Sequence, residues 1–257
     1  DDIDLADGTC KDCNSNGVPD ECDVSVVFGL GATKTFETRA AWPIDVTAAD
    51  FDGDDDNDLM TVNLADNNVS ILRNDGTGAF TFGGVTPVYE QPTVHEPNNI
   101  ITGDLDGDGD MDAATSNGLG NTLSILLNKG NAAFAPKELD ATFTQYDLSV
   151  GDLDGDGDVD LAAVGGVADP RGAVFLNKGT GIFGAPMFLQ TITSIPMGSV
   201  TTVDLDGDND LDLIVGGCYD RCTVIQLLFN KGPGTFGPGQ TAAAGGGADA
   251  LATADID

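Results

Sequence analysis

One nine-residue acidic segment occurs four times in this chain, and no other feature restricts the fold as much. The copies occupy residues 50–58, 104–112, 152–160 and 204–212, and Asp255-Ile256-Asp257 begins a fifth. Their first residues lie 54, 48, 52 and 51 positions apart. A period of about 50 residues marks a supersecondary unit that is too small to stand alone and stacks on its neighbours.

The repeat extends beyond the acidic segment. An apolar run follows each copy, at 59–62, 113–115, 161–164 and 211–215. A second run follows at 69–72, 123–127, 173–176 and 224–229. Each second run meets a turn that leads to a phenylalanine: Asn74-Asp75-Gly76 to Phe80, Asn128-Lys129-Gly130 to Phe134, Asn177-Lys178-Gly179 to Phe183, and Asn230-Lys231-Gly232 to Phe236. Asn and Gly accept positive φ at little cost, so these are turns, and short Val/Ile/Leu runs between turns read as strands. Each unit then has four strands. The first ends in the acidic loop, the second follows it, the third precedes the Asn-x-Gly turn and the fourth follows the phenylalanine. The expected fold is all-β, a β-propeller of four-stranded blades, with about four to five blades in this chain. The four phenylalanines, in register, are expected in the core.

The ends are out of phase with the blades. Residues 24–31 align with 69–76 and Phe36 with Phe80, so the propeller part starts at a third strand. Residues 251–255 read as the first strand of another blade. The expected division is 1–23, a linker repeat, and 24–257, the propeller. Two closures stand: a five-bladed ring whose ends share one incomplete blade, or membership in a larger propeller, which a stop inside a metal loop favours.

Alternating carboxylates in a tight turn are the donor set of calcium, which takes six to eight oxygens at about 2.3–2.6 Å. Positions 1, 3, 5 and 9 of the loops are Asp50, Asp52, Asp54 and Asp58; Asp104, Asp106, Asp108 and Asp112; Asp152, Asp154, Asp156 and Asp160; and Asp204, Asp206, Asp208 and Asp212. Position 7 (Asp56, Asp110, Asp158, Asp210) is expected to offer its backbone carbonyl, and Asp255 and Asp257 open a fifth set. Position 6 must turn sharply; it is Gly109, Gly157, Asn209 and Asp55, the residue types that best tolerate left-handed backbone. Two carboxylates about 4 Å apart repel by roughly 4 kcal/mol at an effective dielectric of 20, so such a loop calls for a cation. Magnesium keeps its waters and takes fewer protein ligands. A related pattern near the start places Asp12, Asn14, Asn16, Val18, Asp20 and Asp23 at positions 1, 3, 5, 7, 9 and 12, with Gly17 at 6. The alternative there is an Asn/Gly-rich linker tied by Cys13 and Cys22. About four to six calcium ions are expected in all.

Composition narrows the partners. The formal net charge is −33, with only ten Lys and Arg, which argues against nucleic acid and anionic membrane surfaces. Apolar residues make up 40%, enough for a core, so the acidity does not indicate disorder. No run of about 18 apolar residues is present to span a membrane. The five cysteines, Cys10, Cys13, Cys22, Cys218 and Cys222, lack the second pair that a zinc ribbon needs. Disulfides in an oxidising compartment suit them better, with Cys218 and Cys222 flanking a short turn and one thiol left over.

The loops, their following strands and the Asn-Lys-Gly…Phe turns resemble the FG-GAP/VCBS repeats of integrin α-subunit propellers and related secreted proteins. The resemblance covers about residues 24–257 and implies calcium in the hairpin between the first two strands of each blade. Residues 12–23 resemble the calcium repeats of dockerins and thrombospondin type 3 stalks. The function implied is a calcium-binding, secreted or cell-surface module for adhesion to a protein or glycan. The alternatives are a structural protein that assembles with copies of itself into a surface layer, stalk or filament, and a propeller-type polysaccharide-active enzyme. One histidine and no Ser-His-Asp or His-x-x-His arrangement argue against the enzyme. His95 is expected in a solvated loop, Trp42 in core packing at a blade junction, and Arg171 and Arg221 in loops at blade edges.

Overall fold

The computed structural model describes residues 3–4, 9–10, 33–89, 95–165, 171–190, 197–216, 224–243 and 251–253. The chain divides into two compact units, Asp1–Phe36 and Glu37–Asp257. In the first, β1 (Ile3–Asp4) and β2 (Thr9–Cys10) pair antiparallel. The expected boundary at 23/24 lies outside the described residues. So do Asp12, Asn14, Asn16, Val18, Asp20, Asp23, Asp255, Asp257, Arg221 and every cysteine except Cys10.

Among the described residues the second unit holds four sheets, each of four antiparallel strands in chain order. The first blade is β3 (Pro43–Ala49), β4 (Asp58–Asn63), β5 (Asn68–Asn74) and β6 (Phe80–Pro87). The second is β7 (Pro97–Gly103), β8 (Asp112–Asn117), β9 (Thr122–Asn128) and β10 (Phe134–Asp140). The third is β11 (Asp147–Gly151), β12 (Asp160–Val164), β13 (Gly172–Phe175) and β14 (Met187–Phe188). The fourth is β15 (Ser199–Val203), β16 (Asp212–Gly216), β17 (Val224–Leu228) and β18 (Gln240–Ala243). Among the described residues there is no helix. The strand order within each unit is the one read from the repeat.

The core lies between blades. Phe51, Met60, Val62 and Ile71 of the first blade pack on Ile100, Ala113 and Leu126 of the second. Leu105, Leu123 and Ile125 of the second meet Leu148, Leu161 and Phe175 of the third, and Leu153, Val164 and Val174 meet Val200, Leu213 and Leu228 of the fourth. Covered on both faces, the second strands are buried almost throughout, which is why they read as continuous apolar runs without alternation. The exposed fourth strand β6 alternates instead. First strands of successive blades lie side by side. There the Asp45 carboxylate accepts the Ile100 N–H at 3.0 Å, and Asp147 accepts the Val200 N–H at 2.8 Å.

Several expectations are corrected or narrowed. Trp42 is 70% exposed at the start of β3 and is not part of the core. His95 is buried, 4% exposed: its ring lies 4.9 Å from that of Tyr89, and its Nε2 is 3.4 Å from Glu138 Oε1. The four phenylalanines are half-buried; Phe134, for example, packs edge-on against Phe51 at the rim of the core, 5.7 Å between centroids. Residues 251–253 form no strand, since a first strand is paired by the second strand of its own blade and none follows among the described residues.

Burial pushes the Asp147 carboxyl up to about 6, against the opposing pull of the Val200 and Leu148 N–H groups. The folded protein therefore binds this proton more tightly than the unfolded chain does, and stability is lost as pH rises from about 4 through 6. In calcium-free buffer the melting temperature of the wild type is expected to fall over that range. Asp147→Asn reduces the fall, as read by circular dichroism melts.

Candidate metal centres in the acidic loops

Each loop is organised by its first carboxylate. Asp50 Oδ1 accepts the N–H groups of Gly53 and Asp54, and Oδ2 that of Asp55, at 2.8, 3.2 and 2.9 Å. Asp104, Asp152 and Asp204 do the same for positions 4 and 6 of their loops. The chain turns sharply at position 6, where φ is +70° at Asp55, +93° at Gly109, +95° at Gly157 and +71° at Asn209. The position-5 carboxylates accept the position-7 N–H at 2.9–3.1 Å. The position-7 side chains of Asp56, Asp110 and Asp158 lean toward Gly76, Gly130 and Gly179 of the neighbouring turn.

The ninth position is buried. Asp58, Asp112, Asp160 and Asp212 are at most 1% exposed. Oδ2 of each accepts the N–H of loop position 2 (Phe51, Leu105, Leu153, Leu205), and Oδ1 accepts the N–H of Asn74, Asn128, Asn177 or Asn230 at the end of the third strand. Burial, then the nearby loop carboxylates, raise Asp112 and Asp160 to about 6 despite these bonds.

Carboxylate oxygens converge in every loop. One oxygen from each of Asp50, Asp52 and Asp58 lies within 4.8 Å of the other two, as do those of Asp104, Asp106 and Asp108, of Asp152, Asp154 and Asp160, and of Asp204, Asp206 and Asp212. Oxygens on opposite sides of one calcium stand about 5 Å apart, so each cluster suits a single ion. Asp52 Oδ1 and Asp106 Oδ1 are buried with no hydrogen-bond partner. Their Oδ2 oxygens are held by Arg73 at 3.0 Å and Lys129 at 3.3 Å. The Oδ1 oxygens are thus left for a cation, and the residues present fit one.

The sequence did not reveal the further task of the turn asparagines. Asn128, Asn177 and Asn230 donate Nδ2 at 2.8 Å to the carbonyl of Phe51, Leu105 and Leu153 in the preceding blade. Their recurrence in register was visible, but it read only as turn chemistry. Asn177→Ala strips the Leu105 and Val159 carbonyls of their donor and is expected to cost about 2 kcal/mol, measured by urea denaturation. Asp106→Asn is expected to remove one bound calcium by calorimetry, whereas Lys129→Ala leaves the stoichiometry unchanged. Asp160 belongs to the convergent set of the third loop and would have to be deprotonated to hold a cation, so cation affinity there is expected to fall between about pH 7 and pH 5, as a titration by calorimetry would read.

The FG-GAP-like repeat family matches residues 50–115, 104–163 and 152–215. No curated protein is detectably similar in sequence. Among solved structures the chain is similar to an Agrocybe aegerita lectin described as recognising non-reducing terminal N-acetylglucosamine. That match has 23% identity and a TM-score of 0.52, and covers 77% of this chain and 51% of the lectin. It is also similar to BBS1N, solved in complex with ARL6DN and soaked with lead, at 14% identity and TM-score 0.51, covering 81% of this chain and 60% of that one. The chain therefore spans between about half and three-fifths of the chains it matches. Three overlapping matches that together run from 50 to 215, more than half of the sequence, establish that this chain belongs to the family of FG-GAP-like repeat proteins.

Proposed function

We propose that this chain is a calcium-stabilised propeller module that binds a protein or glycan ligand, secreted or at the cell surface, without catalysis. The observation that carries the calcium reading is the convergence of three carboxylates in all four loops. Calcium is the chemistry such oxygen-only sets take up, and it would relieve the repulsion within each loop. The lectin among the structural neighbours supports a glycan as one ligand class. The single histidine is buried against Tyr89 and Glu138, which favours a structural use.

Topology suggests where the ligand sits. In an antiparallel meander the first-to-second and third-to-fourth connections share one end of the blade, so metal loops and Asn turns lie together. The second-to-third connections lie at the opposite end. They vary in length, from 64–67 and 118–121 to the longer 165–171, as recognition loops do. Leu119, 61% exposed, and Arg171, over the Phe188 ring, belong to that end.

Calcium added to EDTA-treated protein is expected to bind at about four ions or more and to raise the melting temperature steeply. No binding at millimolar calcium would remove the metal from the proposal. A glycan array that includes terminal N-acetylglucosamine tests the ligand class, and Leu119→Asp should abolish a positive signal while leaving the calcium-dependent melt intact.

A further inference from the structure

The first three acidic loops share one donor pattern but not one counter-charge. In the first loop Arg73 Nη1 donates to Asp52 Oδ2 at 3.0 Å, and Nη2 donates to the Asn131 carbonyl of the next blade at 2.7 Å. Anchored on both arms of its fork, the guanidinium fixes a full positive charge beside one of three convergent carboxylates. In the second loop Lys129 reaches Asp106 Oδ2 through one contact of 3.3 Å, with its side chain 52% exposed. A single exposed pair of this kind holds weakly. In the third loop, among the described residues, no cation reaches Asp154. Leu176 stands where the first blade has Arg73, and it packs toward Gly234. Lys178 repeats Lys129 but lies toward Gly184. The second residue of each of these loops (Phe51, Leu105, Leu153) is 1% exposed beneath the following blade, so the contrast is one of side chains.

We infer that Arg73 is a resident counter-cation of the first loop, so that calcium fills the third loop at lower concentration than the first, with the second between them. This rests on the calcium reading given above. A cation fixed on Oδ2 of Asp52 already relieves part of the repulsion that calcium would relieve. It also repels a divalent ion taken up by Oδ1 of the same carboxylate. Holding Asp52 in place works in the opposite direction, but an aspartate has only two side-chain torsions to order, so that gain is small. The repulsion between the two cations, even at near-aqueous dielectric, is worth about tenfold in affinity. The first loop thus keeps a charge clamp to the second blade when calcium is scarce, whereas the third loop depends on the metal alone.

Calcium titration of the EDTA-treated full chain, followed by amide NMR, reads the loops separately. The glycines at loop position 4 are the reporters, because Gly53, Gly107 and Gly155 donate to Asp50, Asp104 and Asp152 of their own loops. The midpoint at Gly53 is expected at about tenfold higher calcium than at Gly155. Arg73→Leu, the residue of the following blades, and Arg73→Gln, which retains a donor for the Asn131 carbonyl, should each close most of that gap and leave the Gly155 midpoint in place. Arg73→Lys keeps the charge and should keep the gap, which separates an electrostatic effect from loss of the junction bond. An unchanged amide spectrum outside the first loop verifies that each variant folds. Gly53 and Gly155 midpoints that coincide in the wild type overturn the inference, as does a gap that survives both neutral substitutions. If none of the three glycines responds to millimolar calcium, the calcium reading fails and this inference with it; if they respond together, only this inference fails.

Discussion

The last carboxylate of each acidic loop holds together parts of the blade that are far apart in sequence. Asp160 is representative. One oxygen fixes the Leu153 N–H at the start of its loop and the other fixes the Asn177 N–H at the end of the third strand. The Asn177 side chain, placed by that bond, reaches back to the Leu105 carbonyl of the preceding blade. Loop, sheet and blade junction thus share one buried aspartate. Such a group is costly to leave charged in a low-dielectric site, and its raised pKa expresses that cost. A cation among Asp152, Asp154 and Asp160 would act on the same carboxylate. Loading the loop and locking the blades would then be a single event, so binding free energy becomes folding free energy.

The surplus negative charge is consistent with this. A chain at −33 repels itself, and much of that charge is concentrated in the four loops. Two loops recruit a side-chain cation on Oδ2 of position 3. Arg73 does more than neutralise, since its second nitrogen donates to the Asn131 carbonyl of the next blade at 2.7 Å. Leucines occupy the equivalent position in the following blades, where Leu127 and Leu176 pack against Gly181 and Gly234 of the next turn. The same junction is thus made by a charge-assisted hydrogen bond once and by apolar contact twice.

Periodicity made the blade legible in the sequence, because each strand, loop and turn recurs at a fixed offset and four copies average out local ambiguity. The left-handed backbone at Asp55 and Asn209 was legible for a related reason: where two copies have glycine, only residues that tolerate positive φ can stand in the others. Non-repeating residues were not legible. Nothing in the surroundings of His95 indicated that the Tyr89 ring and Glu138 would enclose it, since these contacts join parts of two blades. Trp42 was misread because an aromatic residue beside a strand suggests burial, whereas its side chain is largely exposed.

The same contrast separates stability from recognition. Whatever recurs in register (the loop carboxylates, the turn asparagines, the phenylalanines) serves contacts that every blade must make. Recognition of one ligand requires residues that break the register. These concentrate in the second-to-third connections and in the segments between blades, which differ from blade to blade in length and composition. A repeat built this way can change its ligand by altering one end of the strands, while the acidic loops at the other end continue to hold the blades together.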